Sequence, residues 1–167
     1  MATYRVLVSE PISEKGVEAL RSHPDLSVDF LIGKEGKGLE AEEMMKIIGD
    51  YHGLVIRSNT KVTREVFEAA KNLKAVGRAG VGVDNIDRAA ATDHGVVVMN
   101  TPSGNTISTA EHAFALMLSL ARNIGQAHTS MLAGKWERKK LEGVEMFGKR
   151  LAILGMGRIG TEFAKRA

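Results

Sequence analysis

Three segments hold the residues whose types and spacing suit chemistry. Gly155-Met156-Gly157-Arg158-Ile159-Gly160 spaces its glycines as G-x-G-x-x-G. At that spacing the first glycine permits a tight turn, the second lets backbone approach a pyrophosphate, and the third lets a helix pack close to a strand. An apolar run, residues 150–154, precedes the motif, and a helix-like stretch, residues 161–167, follows it. That order would aim free amides and the positive end of a helix dipole at dinucleotide phosphates. The competing reading is a glycine-rich strand-to-helix turn with no ligand. The second segment, Arg57-Ser58-Asn59-Thr60, offers in Arg57 a planar fork suited to a carboxylate or phosphate. The third, residues 77–84, places Arg78 beside Gly80, Val81 and Gly82, a glycine density from which successive amides form an anion nest. Against this stands the reading in which Arg57 and Arg78 pair with acidic residues across loops and the glycines only make turns.

Other chemistries find little support. The 167 residues include no cysteine, so thiolate catalysis, disulfides and iron–sulfur ligation are excluded, and a reducing, cytoplasmic setting is expected. The five histidines, His23, His52, His94, His112 and His128, show no metal-ligand or triad spacing. No metal is expected. The net charge of +3 is that of one run, Lys135-Trp136-Glu137-Arg138-Lys139-Lys140, so the rest of the chain is neutral and no nucleic-acid face is expected. The most apolar stretch, residues 113–121, falls well short of the roughly 20 residues a membrane span needs, and no signal-peptide core is seen at the start.

The elements that must position these segments alternate. Strands are predicted at residues 5–8, 26–31, 54–56, 75–76 and 96–99, with helices at 12–22, 40–49, 64–72 and 86–94 between them. Alternation implies right-handed βαβ units, and solidly apolar strands imply a parallel sheet buried on both faces. A longer helix is predicted from about residue 107 to 123, opened by a capping box of Ser108 and Glu111 and apolar almost all round, hence buried on several sides. Residues 125–133 read as another helix and 150–154 as a sixth strand. The predicted class is α/β: a flavodoxin-like substrate lobe over residues 1–100, then, over 101–167, a linking helix and the first βα unit of a Rossmann domain. The acidic ribose ligand of such a domain stands about 20 residues past the glycines. The sequence stops seven residues past Gly160, so the expectation is an N-terminal part whose second lobe is begun and not finished.

Taken in order, residues 53–62, 76–87, 98–102, 105–111, 134–140 and 154–160 resemble the D-2-hydroxyacid dehydrogenase family over essentially the whole chain. The Lys-Trp-Glu-Arg-Lys-Lys and Arg-Ser-Asn-Thr-Lys-Val runs are similar to its phosphoglycerate-oxidising branch. The resemblance implies a two-lobed, homo-oligomeric enzyme, dimer or tetramer, with its active site between lobes. It implies NAD-linked oxidation of a phosphorylated 2-hydroxy acid, 3-phospho-D-glycerate to 3-phosphohydroxypyruvate, in serine biosynthesis. It places Arg57, Arg78, Gly80, Val81 and Asn105 around the substrate and Val81 near the nicotinamide. Gly155, Gly157, Arg158, Ile159 and Gly160 would hold the cofactor. The family's catalytic arginine, glutamate and histidine are expected past residue 167, so no catalytic residue is assigned within it. Two alternatives stay open: a dehydrogenase for glyoxylate, hydroxypyruvate or lactate, and a non-catalytic, NAD-sensing corepressor-like module.

Overall fold

A computed structural model describes residues 3–167; the first two residues of the expected first lobe lie outside the described residues. The chain forms two compact units, residues 1–104 and 105–167.

In the first unit five parallel strands, β1 (Tyr4–Val8), β2 (Leu26–Phe30), β3 (Gly53–Ile56), β4 (Ala75–Arg78) and β5 (Val97–Asn100), form one sheet in the order β2-β1-β3-β4-β5. Parallel neighbours need a crossover, and helices supply it: α1 (Glu14–Arg21), α2 (Ala41–Ile47), α3 (Arg64–Ala69) and α4 (Arg88–Asp93). The β1 run Val6-Leu7-Val8 is buried, as strands covered on both faces must be. Leu7, Leu54, Ile56 and Val76 from the sheet meet Met44, Ile48, Val66 and Phe67 in one core. The strand order reverses direction between β1 and β3. A sheet wound this way opens a crevice at the carboxyl ends of those two strands, where ligands bind.

Helix ends are tighter than the sequence predicts, because caps decide them. Ser13 accepts from the Gly16 amide and Asp87 from that of Ala90, so α1 starts at Glu14 and α4 at Arg88. The predicted helix at 40–49 divides into α2 and a 3₁₀ turn, Ile48–Asp50.

The second unit is built from α5 (Thr106–Ala121), α6 (Ile124–Leu132), a 3₁₀ turn at Arg138–Leu141 and α7 (Arg158–Arg166). Helix α7 lies on α5 through an edge-to-face pair, Phe114 and Phe163, at 5.8 Å. Arg166 binds Glu111 and Glu162, each at 3.0 Å. Three expectations are corrected here. Residues 150–154 form no strand, since among the described residues nothing pairs with them, and a strand exists only through its ladder. No capping box forms: α5 begins at Thr106, so Ser108 already sits in the first turn, where its hydroxyl donates to the Asn105 carbonyl at 3.1 Å, and Glu111 is taken by Arg166. Nor is α5 buried on several sides. Only Ala110 is buried, while Leu116 and Leu120 are exposed, because the neighbouring helices of this unit do not reach that face.

Candidate functional site

The candidate site of the first unit is built where the β1–β3 ladder ends. The last ladder bond runs from the Ser9 amide to the Val55 carbonyl. Beyond it the Glu10 side chain takes over. Its Oε1 accepts the amides of Arg57 at 2.8 Å and Thr60 at 2.9 Å, and its Oε2 accepts that of Asn59 at 3.1 Å. Glu10 is 2% exposed. Burial pushes its carboxyl up, but the amides of Thr60, Arg57 and Asn59 outweigh burial and hold it below the usual carboxylate range. Ser9 and Thr60, both buried, join hydroxyls at 3.1 Å.

The other side of the same loop is pinned by a second set of donors. Asn85 Nδ2 donates to the carbonyls of Arg57 at 2.8 Å and Thr60 at 2.6 Å. Arg78 Nε donates to the Arg57 carbonyl at 3.3 Å. The Arg57 backbone is therefore held from both directions while its side chain stays exposed. The guanidinium makes one long contact, 3.4 Å to the Pro11 carbonyl, and among the described residues no carboxylate pairs with it. It is a cation on a rigid stem, open to an incoming anion.

Arg78 is placed differently. Its side chain is 10% exposed and its guanidinium binds Asp84 at 3.3 Å. Gly82 leaves room for this pair: a Cβ there would lie 2.6 Å from the guanidinium and 2.7 Å from the Asp84 carboxylate, so the pair would have to shift to admit one. The Gly80 amide closes onto the Arg78 carbonyl at 2.8 Å, so it is already engaged. Among the described residues no acceptor bonds the Val81 amide, and Val81 stands at the surface with its carbonyl held by Asn100 Nδ2 at 2.7 Å. The nest expected at Gly80 and Val81 thus narrows to the Val81 side. Asn105 opens the second unit as the N-cap of α5, its side chain making no cap bond.

Sequence reasoning missed Glu10 and Asn85. The available signal was a carboxylate placed directly after an apolar strand. Such a group is tolerated in an interior only when its acceptors are filled.

In the second unit the glycine motif has the geometry its spacing implies. Gly155 has φ +103°, which only glycine adopts freely. A Cβ on Gly160 would collide with the Gly155 carbonyl, so the third glycine brings α7 against the turn. Gly157 caps α7, and a Cβ there would meet nothing within 4 Å, so the backbone is open to a ligand on that side. Arg158 and Ile159 form the first turn of α7, which starts inside the motif rather than at the predicted Thr161. Gly160→Ala is expected to cost about 1–3 kcal/mol, the usual toll of overpacking against backbone. Amide exchange should accelerate through α7 and leave β1–β5 unchanged; equal protection in both proteins would show that the turn has room.

Among the described residues no group of three His, Asp or Glu side chains is placed to hold a metal. No helix among them is long and apolar enough to cross a membrane.

The D-isomer specific 2-hydroxyacid dehydrogenase catalytic domain matches residues 6–164. D-3-phosphoglycerate dehydrogenase of Archaeoglobus fulgidus is 54% identical over 162 residues, covering 97% of this chain and 30% of that protein. Among solved structures, the TT0316 protein of Thermus thermophilus superposes with a TM-score of 0.86 at 33% identity, over 97% of this chain and 52% of the other. The NAD-dependent formate dehydrogenase of Staphylococcus aureus in complex with NAD gives 0.77 at 29% identity, over 97% and 52%. This chain belongs to the D-isomer specific 2-hydroxyacid dehydrogenase family. It spans under a third of its Archaeoglobus relative and about half of these structures.

Proposed function

We propose that this chain supplies the substrate lobe, residues 1–100, and the opening of the nucleotide lobe, 101–167, of a cytoplasmic, homo-oligomeric, NAD-dependent dehydrogenase. Its substrate is 3-phospho-D-glycerate, oxidised to 3-phosphohydroxypyruvate on the way to serine. The observation that carries this reading is the Arg57 guanidinium, without a carboxylate partner among the described residues, on a loop pinned at the β1–β3 switch point. Arg57 binds the substrate's anionic group, and the Val81 amide adds a donor. Arg78, engaged with Asp84 and the Arg57 carbonyl, orders the site from beneath and adds positive field.

The residues of the glycine motif suit NAD. The open face at Gly157 admits a pyrophosphate, and the tight Gly155–Gly160 approach aims the amides of Arg158 and Ile159 toward it. When bound, NAD accepts the hydride. This chain orients the substrate and holds one end of the cofactor; the acid–base group that takes the hydroxyl proton is not among its assigned residues.

Titration of the 167-residue chain tests the reading. 3-Phosphoglycerate should shift the Arg57 side-chain and Val81 amide resonances, and Arg57→Ala should weaken binding by about 10–100-fold, the worth of a charged hydrogen bond. The chain alone should produce no NADH with 3-phosphoglycerate and NAD. Equal affinity for D-lactate would move the substrate to an unphosphorylated hydroxy acid. Absence of any shift at Arg57 would sink the assignment.

A further inference from the structure

We propose that Glu10 is a positioning residue for the substrate: its buried carboxylate, by gathering the amides of Arg57, Asn59 and Thr60, presets the Arg57 side chain for an incoming anion. The inference rests on the reading of Arg57 as the substrate's cation.

The amides of residues 57–60 have the look of an anion nest, successive backbone donors at the carboxyl end of a strand. Three of these four amides are taken from within the chain: Glu10 binds those of Arg57, Thr60 and Asn59 with both oxygens, at 2.8, 2.9 and 3.1 Å. At those three amides a substrate anion finds the donors engaged, and it meets the Arg57 side chain instead. The clamp also bridges the point where β1 and β3 part company: Glu10 follows Ser9, the last residue of β1's extension to bond β3, and Arg57 follows Ile56, the last residue of β3. With ladder bonds exhausted, the other ties from the β1 side among the described residues are the Ser9–Thr60 hydroxyl pair and the long contact of the Arg57 side chain with the Pro11 carbonyl. Asn85 and Arg78 hold only the carbonyl side of the loop. Without Glu10 the Arg57 peptide would be restrained from one side, and a flexible guanidinium would have to be ordered when substrate binds, at a cost in affinity.

Charge is needed for this, as well as shape. A glutamine has one acceptor oxygen. It can still take Arg57 and Thr60, but its amide nitrogen would face the Asn59 amide, donor against donor. Charge-assisted bonds are also about twice as strong as neutral ones.

The experiment uses the 167-residue chain, 3-phosphoglycerate as the probe, and four proteins: wild type, Glu10→Gln, Arg57→Ala and the double variant. In Glu10→Gln the Asn59 amide should exchange at least about tenfold faster, and the dissociation constant for 3-phosphoglycerate should rise about tenfold. Arg57→Ala alone should weaken binding at least as much. The double variant should bind no worse than Arg57→Ala, because Glu10 acts through Arg57; a residue that merely stabilises the fold would add its loss independently. NAD binding should be equal in wild type and Glu10→Gln. Multiplying losses in the double variant, or unchanged affinity in Glu10→Gln, would overturn the proposal. If Arg57→Ala binds like wild type, the substrate reading itself fails, whatever Glu10→Gln does. Should Glu10→Gln not fold, Glu10→Asp keeps the charge but reaches fewer amides. A loss in Glu10→Asp that disappears in the Arg57→Ala background then supports the proposal, and an additive loss overturns it.

Discussion

Replacing Phe67 by alanine is expected to destabilise the first unit by about 3–5 kcal/mol, the range for deleting a buried aromatic ring. Phe67 sits on α3 at 1% exposure, in the core shared by Leu7, Met44, Ile48 and Val76. Its outer face stacks on the His94 ring at 6.2 Å. Helix α3 is only six residues long and holds its place through Val66 and Phe67. Little can collapse into the space left, because the sheet behind it is rigid. Domains of this size carry about 5–15 kcal/mol in total, so the variant should unfold at a much lower denaturant concentration with the same slope. A loss below about 1 kcal/mol would mean that the ring is not packed where the structure puts it.

Glu10→Ala is expected to be the most damaging polar substitution. It strands three amides at once, and each unsatisfied buried donor costs about 1–3 kcal/mol. Thr60 is 1% exposed, while Arg57 and Asn59 lie at the surface and recover water, so the net loss should fall near 2–5 kcal/mol. The same clamp makes stability depend on pH. The folded carboxyl titrates below its ordinary value of 4.5. Its contribution is therefore complete above that value and is lost as pH falls through the lower, folded value. The stabilities of wild type and Glu10→Ala should converge at low pH, separate as pH rises toward 4.5, and differ by a constant amount above it. A gap that stays the same down to low pH would show that the carboxylate's charge plays no part.

Much of this was legible in the residues. Val6-Leu7-Val8 announces a buried parallel strand through its unbroken apolar run, and the alternation with helices leaves few topologies; the equally apolar run of β5 is not buried, since at the edge of the sheet Val97 and Met99 are exposed. Arg57 follows a strand and Gly155–Gly160 follows an apolar run, so both reach the right end of their elements by local pattern alone. The glycine spacing encodes a local geometry, a positive φ at Gly155 and close approach at Gly160, that needs no distant partner.

What only the tertiary structure decided is how distant groups divide the polar work. Glu10 is 47–50 residues from the amides it gathers, and no local pattern pairs them. Arg57 just past β3 and Arg78 at the end of β4 are the same residue type on neighbouring strands; the fold leaves one open and turns the other beneath its loop onto Asp84, because Asp84 returns there and, among the described residues, no carboxylate returns to Arg57. The run at 150–154 is strand-like in composition but unpaired, since a strand is a relation between segments and not a property of one. Local propensity and spacing are written in neighbouring residues; hydrogen-bond partners and burial depend on which segments the folded chain brings together.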